Sequence, residues 1–188
     1  MSKALKEWSR DEIEAVATCL RDDLRSAGPR FSLEFTPPSS IAQTIISVPP
    51  SDASLADAGP GSGGFIESGG LFLEDWDLDK LPEDVKRLMG SMHAALGEPA
   101  DTAIALRVDG FENLSLEFWS GLDHLEHLAG LVDQVQDVVM ETTHERWPKC
   151  PDHDHELLAR PRGEWVEWEC PDTGEAIARF GGLADRLR

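Results

Sequence analysis

The sequence predicts an α+β fold with a mainly antiparallel sheet of about five strands, helices on one face and a ribbon-like hairpin near the C-terminal end. Two observations predict this class. Segments with helical hydrophobic spacing and segments with strand alternation follow one another in the order α-β-β-β-α-β-β-α, and a further strand-like run comes after them. The length of 188 residues suits one domain with a sizeable core and a small appendage. We therefore expect an α+β domain over residues 1–146 and a hairpin tail over residues 147–188.

Residues 9–27 have the signature of a helix. Ser9 and Glu12 form a capping-box pair at its start, and Gly28 provides a stop after its end. One apolar stripe at helical spacing is expected to be buried, namely Ile13, Val16, Leu20 and Leu24. We expect this helix to serve packing, because none of its residues forms a recognisable chemical motif.

Three strands are expected next, over residues 31–35, 41–48 and 65–73, because apolar residues alternate in each or form a short run. Residues 49–64 consist almost entirely of Pro, Gly, Ser, Ala and Asp. Such a segment buries too little apolar surface to offset its ordering entropy, so we expect a mobile loop there.

A second helix is expected over residues 82–96, with Gly97 as its stop. Two more strands, over residues 103–108 and 114–118, are expected to be joined by a turn through Asp109-Gly110.

A third and longest helix is expected over residues 121–146, with Ser120 as its cap. Nine acidic residues and no Lys or Arg lie between positions 109 and 145. Like charges on one helix face repel each other, so this run suggests a docking face for a basic partner. A solvated helix face is the alternative, and the sequence leaves both open.

Two near-copies of one turn lie in the tail, CPDHD at residues 150–154 and CPDTG at residues 170–174. Between them, Trp165, Val166 and Trp168 alternate as in a strand. In such a turn Pro fixes φ and backbone N–H groups point toward the Cys sulfur, so a thiolate can be accommodated. The tail resembles a zinc ribbon, in which two knuckles at the ends of a short hairpin direct four ligands to one ion.

The resemblance implies that Cys150 and Cys170 occupy the first ligand positions of the two knuckles and that His153 occupies the second position of the first knuckle. Thr173 departs from the pattern, because it stands at the fourth ligand position and is not a usual zinc ligand. In an extended segment His153 and His155 point to the same side, so His155 can fill the gap. The predicted zinc ligands are therefore Cys150, His153, His155 and Cys170.

Three alternatives to a metal site remain open for the tail. Cys150 and Cys170 could form a disulfide, although nothing else in the sequence indicates an oxidising compartment. The tail could be a degenerate ribbon that kept its turns and lost the metal, or the histidines could simply be solvated.

The charge balance limits the classes of partner. A net charge of −19, from 36 acidic and 17 basic residues, argues against direct binding to nucleic-acid phosphates or anionic lipid. The sequence has no secretory apolar region near its start and no stretch close to the roughly 20 apolar residues of a membrane span. We therefore expect a cytoplasmic protein with no membrane partner. Its expected partner is a protein, and a basic one fits the charge, whereas the sequence does not indicate an oligomeric state.

No standard catalytic motif is present. GxSxG, GxxxxGK[ST], HExxH and a GxGxxG that follows a strand are all absent. The leading expectation is a non-catalytic cytoplasmic adaptor or interaction protein, with a structural zinc in the tail and with the acidic helix or Trp165 and Trp168 as the partner contact.

Two other functions remain open. The first is a metal-dependent hydrolase, in which Thr173 leaves an open coordination position and Asp152, Asp154 or Glu156 acts as the base. The second is an acidic inhibitor that imitates nucleic acid or occupies a basic groove.

Overall fold

The computed structural model describes residues 7–39 and 82–186, which form four helices and two three-stranded antiparallel sheets. The helices are α1 (Arg10–Leu24), α2 (Glu83–Leu96), α3 (His124–Thr143) and α4 (Leu183–Arg186). The strands are β1 (Phe31–Thr36), β2 (Ala103–Val108), β3 (Phe111–Leu116), β4 (Leu158–Arg162), β5 (Trp165–Glu169) and β6 (Ala176–Arg179). None of the described helices is long and apolar enough to cross a membrane.

The first sheet has the order β1-β2-β3. Its β2–β3 hairpin turns through Asp109 and Gly110, at φ +51° and +86°. Positive φ at both central residues is the requirement of a two-residue type I′ turn, so the predicted Asp-Gly turn is confirmed. The strand after this turn starts at Phe111, three residues before the predicted start at 114.

The expectation of a five-stranded sheet is not met within the described residues. The sheet they form has three strands, and the two additional strands predicted at 41–48 and 65–73 lie outside the described residues, as does the predicted loop at 49–64.

Helix α1 begins as predicted. Ser9 is its N-cap, and Ser9 and Glu12 make both hydrogen bonds of a capping box. All four residues of the predicted apolar stripe are buried: Ile13, Val16, Leu20 and Leu24. Helix α2 also follows the prediction and ends before Gly97, at φ +71°.

The start of helix α3 was predicted wrongly. Its cap is Asp123, whose Oδ1 accepts hydrogen bonds from the backbone N–H groups of Leu125 and Glu126. The hydroxyl oxygen of Ser120, the predicted cap, instead accepts a 3.0 Å hydrogen bond from the N–H of Glu98. The helix ends after Thr143, where His144 adopts φ +57°, so it has 20 residues and spans about 30 Å.

The C-terminal segment forms a second three-stranded sheet, in the order β4-β5-β6, followed by the short helix α4. The sequence predicted a hairpin that includes the strand now seen as β5, and the structure has three strands there. Pro161 lies in the edge strand β4, opposite Val166, where proline is tolerated because the N–H it lacks would face away from the neighbouring strand.

One cluster of buried apolar side chains connects the two sheets. Helix α3 packs against β3 of the first sheet and against β4 and β5 of the second, while α1 packs against β1, β2 and α4. The cluster contains residues from both sides of the predicted boundary at 146/147, including Ile13, Leu20, Leu106, Val135, Leu157, Trp168 and Leu183. The division into 1–146 and 147–188 stays a prediction.

Candidate metal centre

Four side chains of the C-terminal segment converge on one point. One donor atom from each of Cys150, His153, His155 and Cys170 lies within 4.8 Å of every other, so this group could hold a metal ion. Both cysteines are buried and neither forms a disulfide. These are the four residues that the sequence singled out.

The first knuckle is a closed turn between the end of α3 and the start of β4. The N–H of Cys150 donates a 2.9 Å hydrogen bond to the carbonyl oxygen of His155, and the N–H of Leu157 donates one of 2.8 Å to that of Pro148. Because these bonds fix both ends of the turn, His153 and His155 are held beside Cys150.

The second knuckle repeats this pattern between β5 and β6. The N–H of Cys170 donates a 2.9 Å hydrogen bond to the carbonyl oxygen of Glu175, five residues later, as Cys150 does to His155. The N–H of Gly174 donates to the carbonyl oxygen of Cys170 at 2.8 Å, and Gly174 has φ +66°, a conformation that glycine adopts without strain. The repeated CPD sequence therefore corresponds to a repeated backbone turn.

The distances between donor atoms suit a tetrahedral ion. The Nδ1 of His153 lies 3.4 Å from the Sγ of Cys150 and 3.3 Å from the Sγ of Cys170, and the Nε2 of His155 lies 3.4 Å from the Sγ of Cys170. Zn–S and Zn–N bonds of about 2.3 and 2.0–2.1 Å at tetrahedral angles place sulfur and nitrogen roughly 3.6 Å apart. These three sulfur–nitrogen distances are therefore within about 0.3 Å of those in a tetrahedral zinc site.

Thr173 supports the site without being one of the four ligands. Its hydroxyl hydrogen-bonds to the sulfur of Cys170, and its N–H and that of Asp172 do so as well. Against a smaller opposing effect of burial, these bonds and one from His155 lower the pKa of Cys170 to about 6. The thiolate, which is the form that binds metal, is therefore favoured at neutral pH.

The core holds the first knuckle in place. Gln136 of α3 is buried, and its Nε2 donates a 2.8 Å hydrogen bond to the carbonyl oxygen of Leu157, itself buried. Before the knuckle, the indole N–H of Trp147 donates to the hydroxyl oxygen of Ser26 at 3.0 Å. The first knuckle is thus supported by α3 on one side and by the residues just after α1 on the other.

Comparison of this chain with protein-family models, with curated proteins and with solved structures gave no match. The resemblance to a zinc ribbon therefore stands on the two knuckles and their donor set.

The structure separates the two tryptophans that the sequence grouped as a partner contact. Trp165 is 51% exposed, and the guanidinium of Arg179 lies 4.8 Å from the centre of its ring. Trp168 is buried, and its indole N–H is hydrogen-bonded to Asp23. Trp168 is therefore a core residue, and the prediction that it contacts a partner is wrong because its side chain is buried.

Asp154, one of the acids considered as a catalytic base, is already paired. Its carboxylate lies 3.2 Å from the Nζ of Lys149 and 3.3 Å from the Nη1 of Arg146. Hydrogen bonding to Lys149, together with the charge of Arg146, lowers the pKa of Asp154. These contacts direct the carboxylate toward the two cations.

The exposed side of α3 and its two ends is acidic. On this helix and at its two ends, the exposed residues include Asp123, Glu126, Asp137, Glu141 and Glu145. Other acids of the predicted run have local roles. Asp109 pairs with Arg30 at 2.7 Å, and a carboxylate oxygen of Glu117 accepts hydrogen bonds from Ser39 and Ser115.

Proposed function

We propose that this protein is a non-catalytic zinc protein of the cytoplasm, in which Cys150, His153, His155 and Cys170 hold a structural zinc ion and the acidic surface of α3 binds a basic protein. The observation that supports the zinc ion most directly is the convergence of two sulfurs and two imidazole nitrogens within 4.8 Å of one another. A set of four Cys and His ligands is typical of structural zinc, whereas catalytic zinc keeps a position for water.

Two features support a structural role over hydrolysis. His155 supplies the fourth donor that Thr173 does not, so the donor set is complete without water. In addition, the Asp154 carboxylate, one of the candidate bases, is occupied by Lys149 and Arg146. The metal would then stabilise the fold by joining the two knuckles.

The experiment is zinc analysis on protein purified without a chelator or a His-tag. We expect about one zinc per chain, and none in a Cys150→Ser/Cys170→Ser variant. Cys19→Ser is the matched control, because Cys19 is the third cysteine and lies outside the donor group. Absence of zinc from the unmutated protein would contradict the proposal.

Substitution of cobalt(II) for zinc separates a closed site from an open one. A four-coordinate site with two sulfur and two nitrogen ligands gives strong visible absorption bands, whereas added water ligands weaken them. For the structural site we expect strong bands, and these should not change when a competing anion such as azide is added. Weak or azide-sensitive bands would favour the hydrolase.

The partner proposal depends on the acidic side of α3. A Lys-rich fluorescent peptide is expected to bind with an affinity that falls steeply with salt, because exposed charges are screened. Neutralising Glu126, Asp137 and Glu141 is expected to weaken binding more than neutralising three exposed acids elsewhere, Glu34, Glu83 and Asp84. Equal losses in the two triple variants would show that only net charge matters and would reject α3 as the surface.

A further inference from the structure

The donor set contains an asymmetry between its two histidines. His153 points its Nδ1 toward the cysteine sulfurs, at 3.4 and 3.3 Å, whereas His155 points its Nε2 toward Cys170. A neutral imidazole that donates one nitrogen to a metal bears its proton on the other. His155 therefore needs its proton on Nδ1.

A carboxylate faces that nitrogen. The Oδ2 of Asp172 lies 3.5 Å from the Nδ1 of His155, on the side away from the sulfur of Cys170. Asp172 belongs to the second knuckle, while His155 follows the first, so the contact crosses between the two turns. Metal-binding histidines commonly donate their second ring N–H to a carboxylate, which fixes both the tautomer and the ring orientation.

We propose that Asp172 is a positioning residue that selects the Nδ1–H tautomer of His155 and so makes this histidine the fourth metal ligand. This inference rests on the proposed zinc site. It explains how a second knuckle with Thr173 in place of a ligand still contributes to a four-ligand set. The knuckle supplies Cys170, the hydroxyl that supports its thiolate, and the carboxylate that orients a ligand from the other knuckle.

The chain offers a matched control. Asp152 occupies the same position of the first knuckle, after Cys-Pro, and it is exposed like Asp172. Asp154 and Asp172 form ion pairs near the two knuckles, whereas Asp152 forms none with the described residues. Asp152→Ala and Asp172→Ala therefore remove the same charge from equivalent positions of the two knuckles, and only the second removes the contact with His155.

The test is zinc affinity measured by competition with a chromophoric chelator. We expect Asp172→Ala to bind zinc about 10–100-fold more weakly than the unmutated protein and Asp152→Ala to stay within about threefold. Asp172→Asn keeps an oxygen acceptor, so its zinc affinity should lie between those of the two Ala variants. In ¹⁵N-edited spectra of the zinc-bound protein, the ring N–H of His155 should exchange slowly with solvent and become fast in Asp172→Ala.

Two outcomes would overturn the inference, and they differ in what else they reject. In the first, the unmutated protein binds zinc and the zinc affinities of Asp172→Ala and Asp152→Ala agree with each other within about threefold. Asp172 then has no positioning role, while the zinc site stands. If the unmutated protein binds no zinc, the proposed function is rejected together with this inference. If circular dichroism shows that Asp172→Ala is misfolded, two other measurements test the inference. They are the zinc affinity of Asp172→Asn and the rate at which the His155 ring N–H of the unmutated protein exchanges with solvent.

Discussion

Asp23 accepts a 2.9 Å hydrogen bond from the indole N–H of Trp168, a residue 145 positions further along the chain. The same carboxylate accepts hydrogen bonds from the backbone N–H groups of Gly181 and Leu183, at 2.8 and 2.9 Å. Asp23 is completely buried near the end of α1. One side chain of the first helix thus satisfies three donors of the C-terminal segment.

Removing this carboxylate is expected to be costly. In Asp23→Ala two buried N–H groups, those of Trp168 and Leu183, and the half-buried N–H of Gly181 lose their acceptor, and we expect a loss of about 3–5 kcal/mol in the free energy of unfolding. Asp22→Ala is the control, because Asp22 forms a surface ion pair with Arg25 at 2.8 Å and should cost less than about 1 kcal/mol. Urea denaturation measures both, and similar losses would show that water replaces the three bonds.

The pH dependence of stability has a predicted sign at Asp23. Burial raises the pKa of this carboxyl, although the hydrogen bonds from Gly181, Trp168 and Leu183 act in the opposite direction. The folded protein then binds the proton more tightly than the unfolded chain, whose aspartate pKa is about 3.9. Relative to Asp23→Asn, the unfolding free energy of the unmutated protein should therefore fall as pH rises from about 4 through the raised pKa.

The measurement is a series of urea titrations of both proteins across that pH range, compared as a difference so that other titrating groups cancel. A difference that grows with pH would mean that the hydrogen bonds outweigh burial and that the pKa of Asp23 is lowered.

Metal removal is expected to affect the whole fold. Cys150 and Cys170 belong to the same buried cluster as Ile13 of α1 and Val135 of α3. A chelator should therefore lower the midpoint of one cooperative thermal transition, and a free zinc concentration 1,000 times Kd should restore about 4 kcal/mol. Two separate transitions, with only the C-terminal one sensitive to the chelator, would support independent folding of residues 1–146 and 147–188.

A cysteine at position 173 should relieve the need for His155. Thr173 stands where a zinc ribbon has a ligand, and its hydroxyl is already hydrogen-bonded to the sulfur of Cys170. His155→Ala is expected to weaken zinc binding strongly, and the added Thr173→Cys substitution should restore most of the affinity, since zinc accepts thiolate as readily as imidazole.

Thr173→Ser combined with His155→Ala is the control, because serine keeps the hydroxyl and adds no ligand. Chelator competition compares the three variants. Equal affinities in the Cys and Ser double variants would mean that residue 173 faces away from the ion.

Local sequence signals predicted the parts of the fold that depend on local interactions. The capping box of Ser9 and Glu12 and the Asp109-Gly110 turn each require only a few neighbouring residues, and both were predicted correctly. The grouping of Cys150, His153, His155 and Cys170 was also expected from sequence, because the repeated Cys-Pro-Asp turn is a local pattern, while their binding of a metal stays a prediction. Their convergence then follows from pairing of the strands between them.

Features that depend on distant partners were not predictable in this way. Ser120 and Asp123 are both good caps, and the choice was decided by Glu98, whose N–H donates to the hydroxyl oxygen of Ser120. Strand β4 contains Pro161 and two arginines, so it becomes a strand only by pairing with β5. The burial of Trp168 likewise depends on an acceptor 145 residues away, for which the local sequence gives no signal.

The connection between α1 and the C-terminal segment has a consequence for synthesis. Helix α1 leaves the ribosome before the residues that cover its buried end, among them Trp168 and Leu183. At about 5–20 residues per second, translating the 145 positions that separate Asp23 from Trp168 takes roughly 7–30 s. During that interval the apolar stripe of α1 is without the C-terminal residues that share its buried cluster, so its apolar surface stays exposed until they have been made.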